Sequence, residues 1–275
     1  MRTPFLKMHG LGNDFIIIDE RPVRYDLTPA RIAALSDRHR GIGCDQLVLL
    51  RPACAPGADV FVRFFNADGS EAGACGNASR CVARLLADET GRASVTLQTR
   101  AGLLPGRVEA DGRISVNMGA PRLAWDAVPL TDACDTLMLP IDGSPAALSM
   151  GNPHVTFFVD DLASVDPAVR GAPLERHALF AEGANIGFAQ RIGDDHLRLR
   201  VWERGAGLTL ACGSGACAAA VNAMRKGLVG HACRVTMDGG DLDIVWERAG
   251  RGDVWMTGPA VVAFDGHVAL AAVSA

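Results

Sequence analysis

The chain carries one cysteine motif twice, half a chain apart. ACGNASRC (74–81) and ACGSGAC (211–217) both open with Ala-Cys-Gly and a small polar residue, and both run into an Ala-rich segment. Cys75 and Cys212 stand 137 positions apart in a chain of 275. At that offset, without gaps, RFFNADGSEAGACGN (63–77) faces RVWERGAGLTLACGS (200–214), and Asn66 and Glu203 each stand nine residues before their cysteine. Upstream, GNDFIIID (12–19) faces GNPHVTFFVDD (151–161), which pairs Asn13 with Asn152. CDQLVLL (44–50) likewise faces ANIGFA (184–189), which pairs Gln46 with Asn185; both of these matches have an offset of 139. Four matches in order at nearly constant offset read as an internal duplication. A chain of this length then suits two similar units of ordinary domain size.

One unit reads as follows. FIIID and QLVLL are apolar, β-branched runs and predict strands. TPARIAALSDRHRG predicts a helix with Thr28 as N-cap, Pro29 at the first helical position and Gly41 as its stop. VFVRFF is a strand running into the turn NADG. NASRCVARLLADETG is a helix closed by Gly91. SVTLQT, GRVEA and RISVNMG are short strands at turn-punctuated spacing. The second half repeats the plan: HVTFFVDD, ANIGFA, LRLRVWE, the helix GSGACAAAVNAMRKG, then CRVTMDGG, LDIVWER and DVWMTG. Many short strands with one principal helix after each cysteine indicate two α+β domains. APRLAWDAVP (120–129) is the expected crossing point.

Composition narrows the function. The formal net charge is −4, and no Lys/Arg run or basic patch with interleaved aromatics supports nucleic-acid binding. No apolar run is long enough to span a bilayer, and MRTPFLKMHG lacks the apolar core of a signal peptide, so a cytoplasmic setting is expected. Disulfides are not the default reading of the eight cysteines there. No C-x-x-C occurs, so zinc spacing fails and no metal is expected. Cys44, Cys54, Cys81, Cys134, Cys217 and Cys233 read as small buried hydrophobes.

Cys75 and Cys212 read differently, because each directly precedes a Gly-containing helix start. The helix dipole and free backbone N–H groups there stabilise a thiolate and form a site for a carboxylate or phosphate. Gly76 and Gly213 let a ligand approach the backbone. Duplication would set the two copies face to face across a pseudo-twofold cleft. An amino acid between them would have its α-carboxylate at two helix ends and its α-carbon between two sulfurs. One thiolate takes the α-proton and the opposite thiol returns one, which inverts the centre; a reversible inversion needs such a group on each face. The helix ends would stabilise the charge that builds on the carboxylate. A pyridoxal phosphate Schiff base is the usual alternative, but Lys7 and Lys226 are the only lysines and neither accompanies a phosphate loop. Cofactor-free chemistry is therefore expected.

The chain resembles the diaminopimelate epimerase family over its whole length. KMHGLGNDF (7–15), RGIGCDQL (40–47), FFNADGSEAGACGNASRC (64–81), MGNPHV (150–155), GANIGFAQ (183–190) and RVWERGAGLTLACGSGACA (200–218) carry the match. The resemblance implies a cofactor-independent isomerase of lysine and peptidoglycan precursor synthesis that interconverts LL- and meso-diaminopimelate, cytoplasmic and homodimeric. It implies two homologous domains, each a β-barrel-like sheet around a central helix. These would span 1–119 and 120–262, with a C-terminal strand at about 263–275 returning to the first. By matching position, Cys75 and Cys212 are the two bases. Gly76, Asn77, Gly213 and Ser214 hold the reacting carboxylate. Asn13, Gln46, Asn66, Asn152, Asn185, Glu203 and Arg204 line the pocket, and His154 and Glu203 tune the thiols. Arg204, opposite Ala67 in the repeat, suits the distal carboxylate, and Glu203 suits the distal ammonium.

Ala78-Ser79 replaces the family's usual Gly-Ala or Gly-Gly, Ser214 its usual Thr, Ala74 a bulkier residue, and Leu208 a commonly polar residue or Pro. No functional group is lost, and Ala78 bears on rate alone. Three other readings compete. A disulfide-exchange protein would use Cys75 and Cys212 but lacks C-x-x-C. A non-catalytic amino-acid binder would have no need of both cysteines. A two-thiol racemase of proline or hydroxyproline would leave Glu203 and Arg204 without a distal group. GIGCD and GAGLTLACGSG lack the strand–GxGxxG–helix order of a dinucleotide site. Asn13, Asn66 and Asn152 adjoin turn residues, and only the repeat raises them above turn formers.

Overall fold

The computed structural model describes residues 2–247 and 252–270. It divides into two compact units, Met1–Val116 with Gly258–Ala275, and Asn117–Thr257. The boundaries fall three residues before the expected 119/120 and five before 262/263.

The first unit runs β1 (Arg2–Gly10), β2 (Asn13–Asp19), α1 (Pro29–Ser36), β3 (Gln46–Arg51), β4 (Val60–Asn66), β5 (Glu71–Ala72), α2 (Gly76–Thr90), β6 (Ser94–Thr99), β7 (Gly102–Val108) and β8 (Ile114–Asn117). The second runs β9 (Ala146–Ser149), β10 (Pro153–Phe158), α3 (Pro167–Glu175), β11 (Asn185–Gly193), β12 (His196–Glu203), β13 (Gly207–Leu208), α4 (Gly213–Arg225), β14 (Ala232–Met237), β15 (Gly240–Trp246) and β16 (Val254–Gly258). The chain then returns to the first unit as β17 (Val261–Ala269), antiparallel to β1. That strand starts two residues earlier than expected; residues 271–275 of the expected segment lie outside the described residues.

Each unit is mostly sheet with a principal helix, an α+β architecture of barrel-like form. The duplication extends to the hydrogen-bond ladder. β2–β3 and β10–β11 are parallel, with Phe15 opposite Gln46 and His154 opposite Asn185. Each parallel pair requires a crossover, which α1 and α3 supply. β3–β4 and β11–β12 are antiparallel, with Leu47 opposite Phe65 and Ile186 opposite Trp202. Parallel β4–β6 matches β12–β14, and antiparallel β6–β7–β8 matches β14–β15–β16.

α2 packs on β1, β2, β6 and β7, and α4 packs on β9, β10, β11, β12, β14 and β15. Residues 77–83 of α2 are all buried, as are 215–224 of α4. A helix buried on every side belongs inside its sheet rather than on its surface. Small residues make that fit: Ala216, Ala218, Ala219, Ala220 and Ala223 are all fully or almost fully covered. α2 ends at Gly91, left-handed at φ 68°, whose N–H closes on the Ala87 carbonyl. Ile16, Ile18, Ile32, Leu35, Leu47 and Leu49 form one core under α1; Leu139, Val155, Phe157, Phe180, Ile186 and Phe188 form the second unit's core.

Three expectations need correction. The helix after Thr28 stops at Ser36, not Gly41: the Asp37 carboxylate accepts from the N–H groups of His39 and Arg40 and turns the chain out of the helix. α3 and β9 were not foreseen, although Asp166 caps α3 and Pro167 opens it. Cys44, Cys81, Cys217 and Cys233 are buried as expected, but Cys54 is exposed and Cys134 only partly covered, because both lie in loops outside the strands and helices.

Candidate active site

In each unit the residues paired by the repeat gather at one end of the sheet. Asn13 opens β2, Gln46 opens β3, Asn66 closes β4 and Cys75 caps α2. In the second unit Asn152 precedes β10, Asn185 opens β11, Glu203 closes β12 and Cys212 caps α4. Parallel β2–β3 and antiparallel β3–β4 bring two strand starts beside one strand end, next to the helix N-terminus, and the second unit repeats the device. Gly76 and Gly213 are the first helical residues; Asn77 and Ser214 follow them.

In the first unit Cys75 is half-buried, and its sulfur receives the Ala78 N–H at 3.5 Å. The Ser79 hydroxyl donates to the Cys75 carbonyl at 2.8 Å. Asn77 Nδ2 donates to Asn13 Oδ1 at 3.1 Å, and Asn13 Nδ2 donates to Asp45 Oδ2 at 2.8 Å. Gln46 Nε2 donates to Asn66 Oδ1 at 3.0 Å across the strands, and Asn66 Nδ2 donates to Ser70 Oγ at 3.0 Å. Gln46 Oε1 is buried without a hydrogen-bond partner, an acceptor in want of a donor. Lys7 pairs with Asp14 at 2.6 Å and bonds the Gly43 carbonyl, while Lys226 caps the C-terminus of α4.

In the second unit Cys212 is buried, 4 % exposed. Burial drives its thiol pKa well above the ordinary value, and the neighbouring Glu203 carboxylate adds to this; the Gly215 N–H and Ser214 hydroxyl act the other way. Without substrate, Cys212 is therefore a neutral thiol. Glu203 also accepts from the Thr209 hydroxyl. His154 Nε2 lies 3.1 Å from Asn152 Oδ1 and 2.9 Å from Ser214 Oγ, and Asn152 Nδ2 is 3.5 Å from that same hydroxyl. Burial, helped by the Arg204 charge, holds His154 neutral, with its pKa lowered to about 3. Asn185 Nδ2 donates to the Pro153 carbonyl at 2.9 Å, and its Oδ1 accepts the Arg204 N–H at 2.9 Å. Arg204 Nη1 donates to the Glu182 carbonyl at 2.7 Å.

Glu203 thus acts on Cys212 directly, whereas His154 reaches it through Ser214, whose oxygen is 3.7 Å from the sulfur. The sequence reading missed the residues that hold these side chains in place within each unit: Asp45 behind Asn13, Ser70 behind Asn66, and Thr209 behind Glu203. Each lies within six residues of a predicted site residue, so proximity to the motif was the available signal.

The family model of diaminopimelate epimerase matches this chain over residues 5–124 and again over 146–263. The chain belongs to the diaminopimelate epimerase family. A diaminopimelate epimerase of Gluconobacter oxydans is 59 % identical over 269 residues, 98 % of this chain and 100 % of that one. One from Acidiphilium cryptum is 54 % identical over 270 residues, 96 % of each chain. Among solved structures, a probable proline racemase from Agrobacterium radiobacter superimposes with TM-score 0.70 at 16 % identity, covering 98 % of this chain and 93 % of that one. A phenazine biosynthesis protein of Bacillus anthracis does so at 0.68 and 16 %, covering 98 % and 99 %. At such identities these two share the fold. Each of the two matched segments contains one of the capping cysteines. Among the described residues no cluster of His, Cys, Asp or Glu is placed to hold a metal ion, and no helix is long and apolar enough to cross a membrane.

Proposed function

We propose that the chain interconverts LL- and meso-diaminopimelate, with Cys75 and Cys212 as acid/base groups serving opposite faces of the reacting α-carbon. The observation that carries this reading is that each repeat caps its buried central helix with a cysteine and rings it with strand-end amides. The α-carboxylate would take the first N–H groups of both helices, around Gly76 and Asn77 and around Gly213 and Ser214, where helix dipoles stabilise the charge that develops as the α-proton leaves. One sulfur, as thiolate, takes that proton. The other, as thiol, donates its own to the opposite face, leaving the centre inverted and the two protonation states exchanged. Cys212, held neutral by burial and Glu203, is the donor in the resting state. No step requires a cofactor. Asn13, Gln46, Asn66, Asn152 and Asn185 line the pocket. Glu203 and Arg204 recognise the distal ammonium and carboxylate, and the bonds holding Arg204 to Asn185 and Glu182 preset its place.

The protein acts in lysine synthesis, as its family does. We place it in the cytoplasm and as a homodimer. The exposed Val261, Val262 and Phe264 of β17 are the apolar surface such a dimer would cover. Sedimentation of the purified chain decides the last point: a monomer at micromolar concentration contradicts it.

The test of function is conversion of LL-diaminopimelate by reduced protein with no added pyridoxal phosphate, followed by chiral chromatography beside L-proline. Appearance of the meso isomer with no change in proline supports the reading. Turnover of proline alone contradicts it and favours a proline racemase.

A further inference from the structure

Arg80 is fully buried on α2, one turn beyond Asn77. Burying a guanidinium is costly unless its bonds are well made. Its Nη1 donates to Asn77 Oδ1 at 2.9 Å, and its Nε donates to the Pro259 carbonyl at 3.3 Å. It sits against Gly10 at the end of β1, where an added Cβ would come within 2.7 Å of Nη2. Any larger residue there would push the guanidinium out of its present place.

The direction of the bonds is informative. A guanidinium only donates, so Asn77 must turn its oxygen to Arg80 and its nitrogen away. That nitrogen donates to Asn13 Oδ1, so Asn13 in turn presents nitrogen to Asp45. Asp45 is pinned by Arg38 Nη2 at 2.7 Å and by the Asp14 N–H at 3.1 Å. A relay runs from a buried cation through two amides to a carboxylate, and every amide along it has its orientation fixed. Both amide oxygens are committed within the relay, so what Asn77 and Asn13 offer a ligand is N–H. The second unit has Cys217 at the position of Arg80, and there His154 and Ser214 form the network instead.

We propose that Arg80 is a positioning residue for the Cys75 half of the site, fixing the amides of Asn77 and Asn13 as donors to the substrate carboxylate. This rests on the epimerase reading. If Asn77 were free to flip, its oxygen would face the carboxylate in part of the molecules and repel it.

The experiment compares wild type with Arg80→Met, Arg80→Lys, Asn77→Ala and the double variant Arg80→Met/Asn77→Ala. Each is assayed on LL-diaminopimelate at a temperature where circular dichroism shows it folded. A misplaced contact of this kind costs up to about 100-fold. Arg80→Met is expected to raise KM about ten-fold or more, and Arg80→Lys, which keeps a charge and a donor, to recover most of that. The double variant should be no worse than Asn77→Ala alone, since Arg80 acts through Asn77. A folded Arg80→Met with KM within two-fold of wild type overturns the proposal, as does a double variant whose losses multiply. Wild type inactive on diaminopimelate would instead count against the functional reading. The side-chain amide NMR signals of Asn77 and Asn13 then read the relay without substrate: both move in Arg80→Met and return toward wild type in Arg80→Lys if the proposal holds, and Asn13 signals that stay put in Arg80→Met show it wrong.

Discussion

The Nε2 of His154 lies 2.9 Å from the Ser214 hydroxyl. Asn152 Oδ1, 3.1 Å from that same nitrogen, can only accept, so Nε2 carries hydrogen. The one hydrogen on Nε2 is shared between Asn152 Oδ1 and the Ser214 oxygen, Asn152 Nδ2–H points at that same oxygen from 3.5 Å, and the hydroxyl hydrogen is left for Cys212 Sγ. Ser214→Ala removes the link between His154 and Cys212, while His154 Nε2–H keeps Asn152 Oδ1 as its acceptor. We expect kcat/KM to fall roughly ten-fold or more, with Ser214→Thr close to wild type. Steady-state assays of the two variants check this, and equal activity in both would contradict it.

His154 gives a signed pH dependence. Its pKa is about 3 in the fold against about 6.5 in an unfolded chain. Between these values the unfolded state binds the extra proton, so stability is full above pH 6.5 and declines as pH falls toward 3. Urea unfolding at pH 7.5 and 5 should show a smaller acid loss in His154→Gln than in wild type. An identical loss would show that His154 is not held neutral.

Thiol reactivity should separate the two cysteines. Cys212 is buried beside Glu203, and its thiol is pushed up in pKa; thiolate is the reactive form. Iodoacetamide at neutral pH, with sites mapped by mass spectrometry, should label Cys75 and exposed Cys54 before Cys212. Glu203→Gln should quicken the labelling of Cys212. Preferential labelling of Cys212 in wild type would refute this account of its environment.

Gly215 and Ala78 occupy the same place in the two repeats. A Cβ on Gly215 would stand 3.1 Å from both Cys212 Sγ and Val201 Cγ2. Gly215→Ala should displace the sulfur and lower kcat roughly ten-fold. Its stability should stay within about 1 kcal/mol of wild type, since better helix propensity offsets the crowding. Ala78→Gly should lose about 1 kcal/mol and keep its activity. Assay and thermal melts of both variants decide it; full activity in Gly215→Ala would mean the sulfur has room to spare.

The duplication made much of this legible. A period of half the chain pairs Asn13 with Asn152 and Gln46 with Asn185, and the ladder puts them at equivalent registers. What escaped was set by tertiary context. α3 has a cap and an opening proline but only a weak apolar stripe, and it forms because it packs on β11 and β12. Nothing in the helix sequence marks Arg80 as buried, and it lies inside where Gly10 leaves space for its guanidinium. The neutrality of Cys212 and His154 depends on burial, which no motif states.

The central claim is one base per face. Its most direct test is α-deuterium uptake from D₂O, measured separately on LL- and meso-diaminopimelate, for wild type, Cys75→Ala and Cys212→Ala. Loss of a positioned acid/base group costs about 10²- to 10⁴-fold. The account predicts inversion with solvent deuterium in wild type and loss of inversion on that scale in each variant. A variant that still inverts either isomer at the wild-type rate would contradict it.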